Sequence, residues 1–122
     1  PAANVSEIMN VIGDVSGKDC LLVDDMIDTA GTMAEAIKVL KKMGAKRVLA
    51  AATHPLLSGE AVNRLVEADV DEVVVTNTVE IPAERKFDGL RVMSVASILA
   101  EAIKCVHDNT SVSKLFEVPR ES

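Results

Sequence analysis

The chain predicts an α/β fold with a mostly parallel sheet and flanking helices, and three observations carry that expectation. Short apolar runs of strand length alternate with segments of helical period along most of the sequence. The first run, Cys20, Leu21, Leu22 and Val23, is continuous rather than alternating, as in a strand covered on both faces of a parallel sheet. The segment after it repeats apolar residues at spacings of three and four and stops at Gly44, which marks an amphipathic helix and its end.

Taken in order, residues 5–12 alternate and lead into Gly13, Asp14, Ser16 and Gly17, a pattern expected of a hairpin. The strand at 20–23 is expected to end abruptly at Asp24 and Asp25. Over residues 32–43, Met33, Ala36, Ile37, Leu40 and Met43 share the inner face of a helix, and Glu35, Lys38, Lys41 and Lys42 the outer one. Residues 47–53 read as a second buried strand, and residues 59–68 as a helix with Ala61, Val62, Leu65 and Val66 inward. A third strand follows at 71–76. Beyond an irregular stretch holding Pro82 and Gly89, residues 90–95 read as a fourth strand. Residues 97–107 read as a helix with Ile98, Leu99, Ala102, Ile103 and Val106 inward. Strands alternating with helices imply right-handed crossovers. Neither a linker nor an internal repeat divides residues 1–122, which read as a single domain, and the tail at 110–122 carries Val112, Leu115 and Phe116 as a docking segment.

Composition narrows the function. The 122 residues hold 48% hydrophobic and 26% charged side chains, an ordinary globular mixture with one core and room for one site. With 13 Lys plus Arg against 19 Asp plus Glu, the net charge of -6 disfavours a phosphate-backbone partner, and two Phe with no Trp or Tyr offer no stacking platform, so no nucleic acid is expected. No apolar run approaches the roughly 20 residues of a membrane span and no signal-like segment opens the chain, which makes no membrane partner and a cytoplasmic setting the expectation. Cys20 and Cys105 stand alone and read as reduced thiols.

Ligands of open α/β sheets bind beyond the carboxyl ends of the strands, so the stretch between the first buried strand and its helix carries the chemistry. It juxtaposes three carboxylates, Asp24, Asp25 and Asp28, with Thr29, Ala30, Gly31 and Thr32 at a helix start. Free backbone N–H groups and the positive end of the helix dipole make the turn from Asp28 to Thr32 a phosphate cradle, with the two threonine hydroxyls as further donors and Gly31 admitting a close approach. Asp24 and Asp25, as acceptors, suit vicinal sugar hydroxyls or a hydrated divalent cation. A phosphorylated sugar satisfies both halves. The plainer alternative is that Asp28 or Thr29 caps the helix while Asp24 and Asp25 are solvated. Gly17 and Lys18 lack the spacing of a Walker loop. His54, after the second strand, lies on the crevice side without a partner at close spacing, and His107 fits a helix C-terminus.

The run LLVDDMIDTAGT, residues 21–32, resembles the phosphoribosyl-diphosphate-binding signature of type I phosphoribosyltransferase folds. With NVSEIMNVIGDVSGK, THPLLSGEA, EVVVTNT, LAEAI and SVSKLF, the chain is similar from Asn4 to Phe116 to ribose-phosphate pyrophosphokinases. The resemblance implies a phosphoribosyltransferase-like carboxyl-terminal part, incomplete on its amino-terminal side. The implied reaction moves the diphosphoryl group of ATP, with Mg2+, to ribose 5-phosphate in a homo-oligomer that makes a nucleotide precursor. It implies that Asp24 and Asp25 hold ribose hydroxyls and that Asp28, Thr29, Ala30, Gly31 and Thr32 surround the 5-phosphate. Ser111, Val112 and Ser113 match an allosteric segment between subunits. Relatives often have Gly where Ala30 stands, so the loop keeps its shape with alanine only if that position does not demand a positive φ. The family's ATP-binding region and its basic catalytic loop have no counterpart here, and no basic residue lies between Lys18 and Lys38, so the isolated chain is expected to be inactive. Two other readings compete: another phosphoribosyltransferase, which should show a base-stacking side chain beyond Phe87 and Phe116, and a non-catalytic regulatory or ligand-binding module that accompanies a longer chain.

Overall fold

A computed structural model describes residues 11–117. Within it β1 (Asp19–Ile27), α1 (Gly31–Lys42), β2 (Arg47–Pro55), α2 (Ala61–Glu67), β3 (Glu72–Thr76), β4 (Leu90–Met93) and α3 (Ala96–His107) follow one another, with short 3-10 turns at Ala83–Arg85 and Val112–Phe116. Four strands lie in the order β1-β2-β3-β4, every neighbouring pair parallel, in the α/β arrangement expected. All but Val11 and Ile12 of the expected hairpin strand falls outside the described residues.

The two helices that cross between parallel strands share one face of the sheet. Ala34, Ile37 and Leu40 of α1 and Ala61 and Leu65 of α2 join Val48, Ala50, Ala52, Val73 and Val75 in a single core. The small residues Ala50 and Ala52 in β2 let the helices sit close. Gly44 ends α1 as expected: at φ 88 it lets Gly44 N–H reach Lys41 O at 3.0 Å and Ala45 N–H reach Leu40 O at 3.1 Å, a Schellman closure. Met43 and Val66, read as inward, are 41% and 55% exposed, because each stands at the last turn of its helix, beyond the reach of the sheet.

The other face of the sheet is bare among the described residues, which corrects the expectation for the first strand. Leu21 and Val23 are 61% and 73% exposed, and β1 lies at an edge, so its continuous apolar run is not sandwiched. The strand also does not stop at Asp24 but runs on to Ile27, paired to β2 from Asp19 opposite Arg47 to Asp24 opposite Ala52 and again, past Asp25, at Met26 opposite His54 and Ile27 opposite Pro55. A carboxylate costs a strand little where its face is wet. At the opposite ends of the strands, Asp19, Arg47, Glu72 and Arg91 form a ladder of alternating charge across all four, linked at 3.8, 3.8 and 2.9 Å. The helix α3 has the expected period, but its apolar stripe is uncovered: Ile98, Leu99, Ile103 and Val106 are all at least 57% exposed and only Cys105 is buried. Periodicity identifies a face; it does not supply a neighbour. The main neighbour of α3 is the 3-10 turn Val112–Phe116, where Val112 and Leu115 are half-buried and Phe116 is exposed. Cys20 and Cys105 are both free thiols. Among the described residues, no helix is long and apolar enough to cross a membrane.

One charged contact ties the helix layer to the sheet. Asp71 Oδ2 accepts from Lys41 Nζ at 2.7 Å and from Val48 N–H at 2.6 Å. The Lys41 hydrogen bond first, and the Val48 amide next, hold the Asp71 carboxyl below its ordinary 3.8. That contribution to stability is full above pH 3.8 and is lost as the pH falls through the lower folded-state value. Asp71→Asn should cost about 1–2 kcal/mol near neutral pH, with both groups partly exposed, and the deficit against the parent should shrink below the carboxylate range. Urea unfolding at several pH values checks this; a deficit that does not change with pH would contradict it.

Candidate functional site

The site is built by the connection from β1 to α1. Ile27 is buried at the end of β1 and Ala30 is buried at the threshold of α1, so both ends of the connection are anchored in the core and Asp28 and Thr29 are held out to solvent between them. Ala30 adopts φ 59 and ψ 15, the left-handed conformation, and occupies the N-cap position without any side-chain capping bond. The expectation attached to the resemblance therefore resolves clearly: position 30 does take a positive φ, and it is filled by alanine. Gly31, by contrast, is not left-handed, and a Cβ there would meet only Arg64 Nη1, at 3.8 Å.

The backbone around the turn is held from one side. Ile27 O accepts from Leu57 N–H at 3.0 Å, Asp28 O from Ser58 N–H at 2.9 Å, and Thr29 O from Arg64 Nη1 at 2.9 Å. Among the described residues, the N–H groups of Thr29, Ala30, Gly31, Thr32 and Met33 have no acceptor, since the first bond of the helix is Ala34 N–H to Ala30 O. The plainer reading of this segment, that Asp28 or Thr29 caps the helix, is not realised.

These free amides border a cavity of about 190 Å3 lined by Asp24, Met26, Ile27, Asp28, Thr29, Ala30, Gly31, Thr32 and Met33. Six of the seven residues singled out from sequence are thus brought together. Asp25 is not among them: it is exposed on β1 and does not line this cavity. The Asp24 carboxylate accepts from Asp25 N–H at 2.8 Å, which fixes one oxygen and leaves the other free. The cavity wall carries carboxylates and amides, and no Lys or Arg lines it. Nor does any group of three or more His, Cys, Asp or Glu side chains among the described residues converge on a metal site. Asp24 and Asp28 are the carboxylates on the cavity wall that could share a hydrated Mg2+ with the phosphate oxygens of a ligand.

Next to this cavity, the bare face of the sheet holds a second hollow of about 210 Å3, lined by Val23, Asp24, Ala51, Thr53, Val74, Thr76 and Met93 among others. Asp24 borders both. His54 does have a partner, 24 positions away: its Nδ1 lies 2.8 Å from Thr78 Oγ1. Because Thr78 Oγ1 gives its one proton to Thr53 O at 3.0 Å, it accepts from His54 Nδ1–H. His54 lines neither cavity. His107 closes the last turn of α3. Ser111, Val112 and Ser113 begin the last 3-10 turn, where Ser111 Oγ accepts from Ser113 N–H at 3.2 Å, and they are not part of the wall around Asp24 to Met33.

Arg64 is the residue that sequence reasoning passed over. It lies on the outer side of a short helix, 35 positions from Thr29, and no local pattern links the two.

Comparison with known proteins gives a consistent result. The model of the phosphoribosyl synthetase-associated domain matches residues 2–117. A ribose-phosphate pyrophosphokinase of Caldanaerobacter subterraneus subsp. tengcongensis is 53% identical over 116 residues, 95% of this chain and 37% of that protein. One from Gloeobacter violaceus is 55% identical over 115 residues, 94% of this chain and 35% of that protein. The chain thus spans about a third of the length of the curated relatives it matches. Among solved structures, the phosphoribosylpyrophosphate synthetase of Mycobacterium smegmatis superposes with a TM-score of 0.77 at 50% identity, over 80% of this chain and 33% of that one.

Proposed function

The chain belongs to the ribose-phosphate pyrophosphokinase family, through its phosphoribosyl synthetase-associated domain, and on that premise we propose that it is the ribose 5-phosphate-binding part of such an enzyme. The whole reaction would transfer the diphosphoryl group of ATP to the anomeric hydroxyl of ribose 5-phosphate. The observation that carries this reading is the row of free amides from Thr29 to Met33 beside two carboxylates, Asp24 and Asp28, in one cavity. Five N–H groups at the positive end of a helix suit a phosphate dianion. A carboxylate at the other end of the same cavity accepts from the hydroxyls of the sugar. A neutral sugar leaves the amides unpaired, and a bare phosphate leaves Asp24 unused.

The binding half and the transferring half are chemically separate. Diphosphoryl transfer builds negative charge that must be met by cations and positioned Lys or Arg, and the wall of this cavity has none. The chain by itself is therefore proposed to bind the acceptor sugar and to lack diphosphokinase activity. Magnesium would enter with the phosphates of ATP and could be shared with the Asp24 and Asp28 carboxylates. Self-association into a homo-oligomer is part of the same reading, supported by the bare apolar stripe of α3 and by the uncovered Leu21 and Val23.

Calorimetric titration of the chain with ribose 5-phosphate in magnesium buffer is the direct test. Saturable one-site binding is expected, with ribose and inorganic phosphate each at least about tenfold weaker, because each satisfies only one end of the cavity. No heat and no saturation from a sample shown to be folded by circular dichroism would overturn the reading. So would brisk formation of phosphoribosyl diphosphate from ATP by the homogeneous chain, as regards the separation of the two halves.

A further inference from the structure

We infer that the segment from Leu57 to Arg64 is a brace that presets the amides of the loop, with Arg64 as a positioning residue that acts through the Thr29 carbonyl. The inference rests on the proposed function for its ligand but not for its geometry. Three successive carbonyls, those of Ile27, Asp28 and Thr29, are each held from this one segment, by Leu57 N–H, Ser58 N–H and Arg64 Nη1 at 3.0, 2.9 and 2.9 Å.

Peptide planarity turns that pattern into a direction. In a trans peptide unit the C=O of one residue and the N–H of the next point to opposite sides. Fixing the carbonyls of Asp28 and Thr29 toward the brace therefore aims the N–H groups of Thr29 and Ala30 away from it, where they have no partner among the described residues. Ala30 must then turn left-handed, at φ 59, to bring the chain into α1. An alanine resists that conformation, so some contact has to hold it. Thr29 O belongs to the peptide unit immediately before Ala30, and Arg64 is the one side chain among the described residues that grips it.

The brace is itself firmly seated. Leu57 is fully buried, with φ 50, and Ala61 and Leu65, on either side of Arg64 in the sequence, are also fully buried. Arg64 projects from a short helix whose inner face is locked into the core, while its guanidinium lies out against the loop, 3.8 Å from where a Cβ on Gly31 would stand. It does not line the cavity, so its role is to orient the groups that do. Lysine at this position keeps the charge but has no planar fork to set across the carbonyl.

The test uses Arg64→Met and Arg64→Lys in the full 122-residue chain, with two readouts. Without any ligand, the backbone amide resonances of Ala30, Gly31 and Thr32 are expected to move in Arg64→Met, those of β2 and β3 to stay in place, and the thermal midpoint to stay within about 2 °C of the parent. On titration, ribose 5-phosphate affinity should fall by about tenfold in Arg64→Met, with Arg64→Lys recovering part of it. Unchanged loop resonances in Arg64→Met would overturn the brace whatever the affinity does. Shifts spread over the whole spectrum with a large drop in midpoint would also overturn it, by making Arg64 a general structural residue. If the parent chain fails to bind the sugar phosphate while the loop resonances still respond to Arg64→Met, the brace stands and the proposed ligand falls.

Discussion

Ala30→Val is expected to abolish ribose 5-phosphate binding and to lower the unfolding free energy by about 3 kcal/mol, the sum of a strain term and a crowding term of similar size. Ala30 sits at φ 59 and is only 6% exposed. A left-handed backbone already costs an alanine about 1–2 kcal/mol, and a branched Cβ makes it worse, since its two methyl groups crowd the flanking carbonyls. Ala30 also packs within the core cluster, and overpacking there costs about 1–3 kcal/mol. The cheapest escape is for the residue to leave the left-handed region, which swings the amides on either side of it out of the cavity. Binding should thus fail even in the fraction of molecules that remain folded. Ala30→Gly provides the opposite control: relief of about 1 kcal/mol of strain is offset by about 0.8 kcal/mol for the lost methyl burial, so stability should hardly change. Urea unfolding and calorimetry on the same three proteins decide the matter. A valine variant with parental affinity would mean that the loop does not need its left-handed residue.

The second large effect separates two neighbouring acids. Asp24→Ala is expected to weaken ribose 5-phosphate binding by about 100-fold, the value of a pair of charged hydrogen bonds to sugar hydroxyls, while Asp25→Ala should change it by less than about fivefold. Asp24 borders the cavity and keeps one carboxylate oxygen free, whereas Asp25 lines neither this cavity nor the hollow beside it. The resemblance to phosphoribosyltransferases assigns both acids to the ribose, and the geometry of this chain does not treat them alike. Equal losses from the two substitutions would show that β1 relaxes near Asp25 when the sugar binds. Neither substitution should alter folding much, because both side chains are exposed.

Much of this architecture is visible in the chain before any coordinates. The existence of β1, β2 and β3 as strands of a parallel sheet follows from short apolar runs, and α1 from its period and from Gly44. What was not legible has a common cause, which is that cover is a tertiary property. Leu21 and Val23 look like buried strand residues because their neighbours are apolar, yet burial depends on a layer that no local pattern specifies. The stripe on α3 misleads in the same way. The extension of β1 through Asp24 and Asp25 was missed because acids usually end strands, and on a wet face they need not. The loop chemistry was legible in residue types, but its conformation was not, since alanine is a poor signal of a left-handed turn. Arg64 could not be found from sequence at all: the carbonyl it holds is 35 positions away.

The strand order has one more consequence. In doubly wound sheets, binding clefts open at a switch point, where two neighbouring strands send their connections to opposite faces. Here the order β1-β2-β3-β4 never reverses, so the described strands contain no such point, and the loop lies at the end of an outermost strand. Among the described residues its flank is the unpaired edge of β1. Any further strand that hydrogen-bonds there lies about 4.8 Å from the backbone of Asp24 and Asp25 and converts a one-sided shelf into a two-walled cleft. Ligand occupancy and strand addition at that edge share the same few residues, so whatever orders one of them changes the free energy of the other.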